Sequence, residues 1–397
     1  MSKDASRTSQ PESSTPSQES VHRHAHDAVV LPRSAFHTLL DALERRDYRI
    51  LGPVLREGTI TIDRITGEND LPIGWTDVHA PGSYRIEKRS DQRLFGYVVG
   101  QHSWKRFLNP PVTTLMRVRR ENGRIAITSE PLPTEKYAFL GVRSCDVAGI
   151  RIMDRVMLEG PYADERYRAR RRNALIIAVN CSEAKGCCFC VSMDTGPKAA
   201  SGFDLALTEV LDGDEHYFVL EAGSDSGHEI LAELSTRPVK EAERKAADAE
   251  VARAAYQMGR ALNTRGLAEK LAGSHEHPRW AQVAKRCLSC GNCTMVCPTC
   301  FCMTIEDHSD LTNENAERRR LWDSCFSQEF SYIHGGHVRD SVASRYRQWL
   351  MHKLSTWQDQ FGSFGCVGCG RCIVWCPVGI DITEEAAAIV GGVDRPG

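Results

Sequence analysis

The spacing Cys-x2-Cys-x2-Cys-x3-Cys-Pro occurs twice in this chain, at Cys287, Cys290, Cys293, Cys297 and Pro298 and again at Cys366, Cys369, Cys372, Cys376 and Pro377. No other feature restricts the fold as much, because eight thiols at identical spacing have to be gathered into two groups. Closely spaced thiolates wrap three corners of an iron–sulfur cube, and the fourth, carried away by the following turn and proline, reaches the cube of the other repeat. The spacing thus assigns Cys287, Cys290, Cys293 and Cys376 to one [4Fe–4S] cluster, and Cys366, Cys369, Cys372 and Cys297 to a second. Gly291 and Gly370 follow the second cysteine of each run, where a residue without Cβ allows a tight turn. Pro298 and Pro377 offer no N–H and end that turn. Zinc is the competing tetrathiolate centre and would make the chain a redox-silent interaction scaffold, but it favours two CxxC pairs separated by a longer loop.

The chain holds 16 cysteines in 397 residues, which in a reducing compartment are thiols or metal thiolates rather than disulfides. It shows no apolar core of a secretory signal and no run of roughly 18 apolar residues, so a cytoplasmic location without membrane contact is expected. With 50 basic against 52 acidic side chains and a net charge of −2, nothing calls for nucleic acid. No G-x-G-x-x-G fingerprint, P-loop or nucleophile triad is present, so two adjacent clusters would form a relay whose electron donor and acceptor lie on other subunits.

Residues 1–27 are rich in Ser, Pro, Gln and His and read as a disordered tail, with the HRHAHD run as solvated polar sequence. Residues 28–235 read as a domain of α/β type. A helix is expected near Arg33 to Arg45, and short strands at TITI and LFGYVVG. A βαβ unit is expected through KYAFLGVRSCD, VAGIRIMDRVMLEG and NALIIAVNC. Residues 236–275, rich in Ala, Glu and Lys, read as a helical connector. Residues 276–397 read as an α-helical ferredoxin domain. The 68 residues between the repeats, 298–365, place Tyr346, Trp349, Leu350, Leu354, Trp357 and Phe361 near one helix face, a stripe that suits a core. The overall expectation is an α+β chain, an N-terminal α/β-type domain followed by an α-helical dicluster ferredoxin domain.

A right-handed βαβ crossover makes its strands parallel and puts Cys145 and Cys181 at the carboxyl edge of the sheet, where open α/β sheets build sites. Cys187, Cys188 and Cys190 follow in a loop after Gly186. Cys145, Cys181, Cys188 and Cys190 would supply a third [4Fe–4S] site, with Cys187 left over; buried free thiols are the alternative. Cys300, Cys302 and Cys325 lack a fourth cysteine, with Asp323 a weak candidate to complete a site. Packing around the first cluster suits them better.

Several long runs carry a resemblance. KRCLSCGNCTMVCPTCFCMTIEDHSDL, RLWDSCFSQEFSYIHGG, GCVGCGRCIVWCPVGIDIT and NCSEAKGCCFCVSMDTGP resemble the iron–sulfur beta subunit of soluble NAD(P)-linked [NiFe] hydrogenases of the sulfhydrogenase type. The related electron-transfer subunit of anaerobic sulfite reductase shares the architecture. The resemblance implies a heterotetramer in which a flavin subunit handles NAD(P)H, the [NiFe] large and small subunits handle H2, and this chain carries electrons between them. The adjacent pair Cys187 and Cys188 departs from the single cysteine usual in that family.

Overall fold

The computed structural model describes residues 28–391, Val99 excepted. The tail and its histidine run lie outside the described residues.

The strands in chain order are β1 (Val29–Pro32), β2 (Arg49–Arg56), β3 (Thr59–Arg64), β4 (Trp75–Ala80), β5 (Ser83–Lys88), β6 (Val112–Glu121), β7 (Arg124–Ser129), β8 (Tyr137–Val142), β9 (Ala174–Val179), β10 (Leu205–Asp212), β11 (Glu215–Ala222), β12 (Arg237–Pro238), β13 (Met303–Ser309), β14 (Asn315–Trp322), β15 (Tyr332–Ile333) and β16 (Gly336–His337). Eight of them form one sheet in the order β12-β1-β11-β10-β9-β8-β2-β3. Its centre, β10-β9-β8-β2, is parallel, and the pairs flanking it are antiparallel. All six residues of β9 are buried, as expected of a parallel strand covered on both faces. On one face the helix His37–Glu44 brings Leu39 and Leu43 against Leu140, Ile177 and Phe218. On the other, the helix Ser144–Leu158 brings Val147, Ile150 and Met153 against Phe139 and Ile176. Each such side chain taken from water stabilises the domain by about 1.5–3 kcal/mol. The βαβ unit expected from the sequence is present, with an extra helix at Glu165–Arg172 inside the crossover.

Two expectations are corrected. LFGYVVG is not a strand: Leu94 and Phe95 donate their backbone N–H groups to the buried Glu209 carboxylate at 2.7 and 2.9 Å, and Val98 donates to Asp77 at 3.0 Å. Buried carboxylates replace the ladder that a strand would need. The insert 298–365 is not helical throughout, and its first half is the hairpin β13–β14. That hairpin continues across the chain onto β6, giving a four-stranded sheet β13-β14-β6-β7. MTIEDHS and NAERRRLW turn around Asp310, whose carboxylate accepts from the backbone of Glu314 and Asn315. Because none of its strand residues is buried, the hairpin lacks the alternation of a half-buried strand. The second half of the insert is helical as expected, through Val342–Met351, a π-helical turn at His352–Thr356 and Trp357–Phe361. Tyr346, Trp349, Leu350, Leu354 and Trp357 are buried in its core.

The connector is helical over Glu241–Tyr256, capped where Glu243 accepts from the Lys240 N–H at 2.8 Å. This helix packs on the large sheet, with Ala247 against Val210, Tyr217 and Val219, so its first half is part of the sheet domain. The short helices Leu267–Ala272 and Arg279–Ala284 then join the helical core around the second half of the insert.

Candidate iron–sulfur centres

Both repeats fold the same way. After the first cysteine the chain enters left-handed backbone at Ser289 (φ 51°) and Gly291 (φ 73°), and in the second repeat at Gly368 (φ 64°) and Gly370 (φ 75°). A one-turn helix follows each glycine, Asn292–Met295 and Arg371–Val374. The turns aim backbone N–H groups at sulfur: Ser289 at Cys287 Sγ (3.4 Å), Gly368 at Cys366 Sγ (3.5 Å) and Ile380 at Cys376 Sγ (3.3 Å). Gly370 is required on a second ground, since a Cβ there would lie 2.3 Å from the carbonyl oxygen of Cys187.

Cys287, Cys290, Cys293 and Cys376, with Cys372 of the second repeat, line one cavity of about 30 Å³, walled by Phe326, Tyr346 and Trp349. Cys290 and the neighbouring Leu288 are exposed, so this centre has an edge at the surface. Burial pushes the Cys293 thiol well up, and Cys287, Cys290 and Cys376 push it further. Cys366, Cys369, Cys372 and Cys297 form the second group: burial raises Cys372, with Cys366, Cys369 and Cys297 next in effect. Cys376 thus lies with the thiols of the first repeat, and Cys297 with those of the second.

Cys145 begins the helix Ser144–Leu158, Cys181 follows β9, and Cys188 and Cys190 lie in the loop beyond. Burial raises the Cys190 thiol, with Cys181, Cys188 and Cys369 next in effect. Cys145 packs with Cys190 and Cys369. Cys187 points away, into the helical core. The irregular backbone here comes from Phe189 (φ −149°, ψ 27°) and the turn Cys190–Met193, which ends at left-handed Asp194, rather than from Gly186. Cys369 of the second repeat packs with Cys145 and Cys190, so these thiols are neighbours across the two parts of the chain.

The segment 286–380 matches the family of 4Fe-4S dicluster domains. Over 344 residues the chain is 31% identical to the sulfhydrogenase 2 subunit beta of Pyrococcus furiosus, covering 84% of this chain and 90% of that protein. This chain belongs to the sulfhydrogenase beta-subunit family. No solved structure matches. Among the described residues, no helix is long and apolar enough to cross a membrane.

As a sulfhydrogenase beta-subunit homologue with a dicluster domain, the chain is an iron–sulfur electron-transfer subunit. The donor sets fit that role. A cube takes one thiolate at each of four separate irons. Among the described residues no three His, Cys, Asp or Glu side chains come close enough together to hold a single metal ion. Burial alone would keep most of these thiols neutral, and bound cationic iron would draw off their protons and hold them as thiolates.

Cys300 contacts Cys297 of the second group, whereas Cys302 contacts Cys325, whose next cysteine neighbour is Cys293 of the first. Hydrogen bonding from Cys325 lowers the Cys302 thiol to about 7. Sequence reasoning missed the charged residues here. Arg371, inside CGRC, is buried and gives Asp146 a bidentate pair at 2.8 and 2.8 Å, tying the second repeat to the sheet domain beside Cys145. Lys353 is buried in the middle of the aromatic stripe. Burial lowers its pKa, but Cys297, Cys300 and Cys366 more than offset this and the net shift is upward. Lys105, equally buried, lies 3.9 Å from the Trp322 ring centroid and donates to the Cys300 carbonyl at 3.0 Å. The signal for Arg371 was its place between two ligands, whereas Lys353 gave none, because helical periodicity does not show which polar residue turns inward.

Proposed function

We propose that the chain is the iron–sulfur subunit of a cytoplasmic NAD(P)-linked [NiFe] hydrogenase complex, relaying electrons between the large and small hydrogenase subunits and a flavin-bearing partner that handles NAD(P)H. In this reading Cys287, Cys290, Cys293 and Cys376 hold one [4Fe–4S] cluster and Cys366, Cys369, Cys372 and Cys297 a second. Cys145, Cys181, Cys188 and Cys190 hold a third. The observation that carries the reading is the set of three thiol groups, from an exposed edge at Cys290 to the buried sheet edge at Cys145, with Cys369 packed beside Cys145 and Cys190. When bound, the clusters supply one-electron acceptance and release. The chain's own residues supply spacing, N–H groups directed at sulfur, and exclusion of water by Phe326, Tyr346 and Trp349. Leu288 and Val378 are exposed apolar residues at the rim of the first site and suit the approach of a partner subunit there.

Anaerobic purification of the complex, with iron and acid-labile sulfide analysis and EPR, tests this reading. It calls for about 8–12 iron atoms per chain and co-purifying [NiFe] subunits. Zinc without acid-labile sulfide would overturn the cluster reading. A sirohaem partner would move the chain to sulfite reduction.

A further inference from the structure

Lys353 is a cation sealed in the protein interior. Its residue is 3% exposed. Its ammonium donates to Thr299 Oγ1 at 2.8 Å and to the Gly365 carbonyl at 3.0 Å. Among the described residues it forms no ion pair with a carboxylate. A buried ammonium without an anion is costly, and the neighbouring ligands Cys297 and Cys366 would supply the counter-charge once they hold a cluster as thiolates. Arg371 on the other side of the same group differs, because Asp146 neutralises it.

Thr299 completes the device. It is fully buried, and its Oγ1 lies 3.2 Å from Cys297 Sγ and 2.6 Å from the Gly365 carbonyl. The hydroxyl has one proton to give. That proton goes to the Gly365 carbonyl, which the lysine also serves, while the hydroxyl oxygen that Lys353 holds lies against Cys297 Sγ. The lysine therefore acts twice, as a fixed positive charge and as the group that fixes the Thr299 hydroxyl beside the sulfur. Its seat on a π-helical turn, His352–Thr356, also fits a functional site. The first site has no counterpart: no lysine or arginine lines its cavity. Net charge and hydrogen bonds to sulfur are two of the factors that set an iron–sulfur potential.

We propose that Lys353, acting through Thr299, is a positioning residue that holds the second cluster at a higher reduction potential than the first, so that an electron entering at the exposed site settles on the buried one. This rests on the two-cluster reading above. The test is an EPR-monitored redox titration of the intact complex as wild type, Lys353→Met, Lys353→Arg and Thr299→Val, with iron and sulfide measured alongside. A Cys366→Ser complex identifies the second site's signal by its loss. The expected result is a downward shift of the second midpoint in Lys353→Met and a smaller one in Thr299→Val. The first midpoint and the iron content stay unchanged, and Lys353→Arg stays near wild type. Thr299→Val keeps the side-chain volume and carries the test if Lys353→Met does not fold. Iron-replete variants with an unmoved second midpoint, or loss of iron from Thr299→Val, would overturn the proposal. Wild-type complex without acid-labile sulfide would instead overturn the cluster reading itself.

Discussion

The two cysteine repeats have the same spacing, the same left-handed turns and the same one-turn helix, yet they sit in opposite surroundings. The first opens to the surface at Cys290 and is walled by Phe326, Tyr346 and Trp349. The second is enclosed and flanked by Lys353 and the Arg371–Asp146 pair. Identical ligand spacing therefore decides which centre is held, and the neighbours decide its charge, its access and how firmly it is tied to the rest of the chain. An exposed, uncharged centre suits exchange with a partner, and a buried, cation-flanked one suits storage and onward transfer.

The largest expected effect comes from removing a ligand of one site only. Cys366→Ser should cost about four irons per chain and leave the first site's EPR signal in place. Loss of both signals together would break the idea of two separately held centres. Next in size is Arg371→Met, which leaves Asp146 buried without its partner. It should lower unfolding stability by about 3–5 kcal/mol in denaturant titrations of the loaded chain. Behind Tyr346, which walls the first site, the buried Glu385 is held by Arg279 at 2.5 Å and by Arg286. Those arginines reach solvent, so Glu385→Gln should cost less, about 1–3 kcal/mol by the same titration. Equal losses in the two variants would erase the contrast between an open and an enclosed site. The smallest effect on stability is expected for Leu288→Ser at the exposed rim, within about 0.5 kcal/mol. Its signature should emerge instead as slower electron exchange with the partner subunit in stopped-flow mixing, and an unchanged rate would remove Leu288 from the contact.

Much of the candidate site is legible in the amino-acid order alone, because short-range spacing brings Cys287, Cys290 and Cys293 to one cavity. The βαβ unit is legible for a similar reason, since β8 and β9 are apolar runs that only a covered parallel strand explains. The hairpin β13–β14 escapes such a reading because its partner β6 lies about 200 residues away and none of its strand residues is buried. LFGYVVG misleads because the groups that take its backbone N–H bonds, Glu209 and Asp77, come from distant segments.

The sequence by itself determined the repeated spacing of the eight ferredoxin-type thiols, the parallel sheet core and the aromatic stripe, all properties of local spacing and periodicity. Only the tertiary structure decided that Cys145, Cys188 and Cys190 stand beside Cys369, that Cys187 turns away, and that Lys353 and Arg371 face the second site rather than the first. The physical reason is range. A thiolate's neighbours along the chain are fixed by covalent geometry, but the charges around it are set by which distant segments pack there.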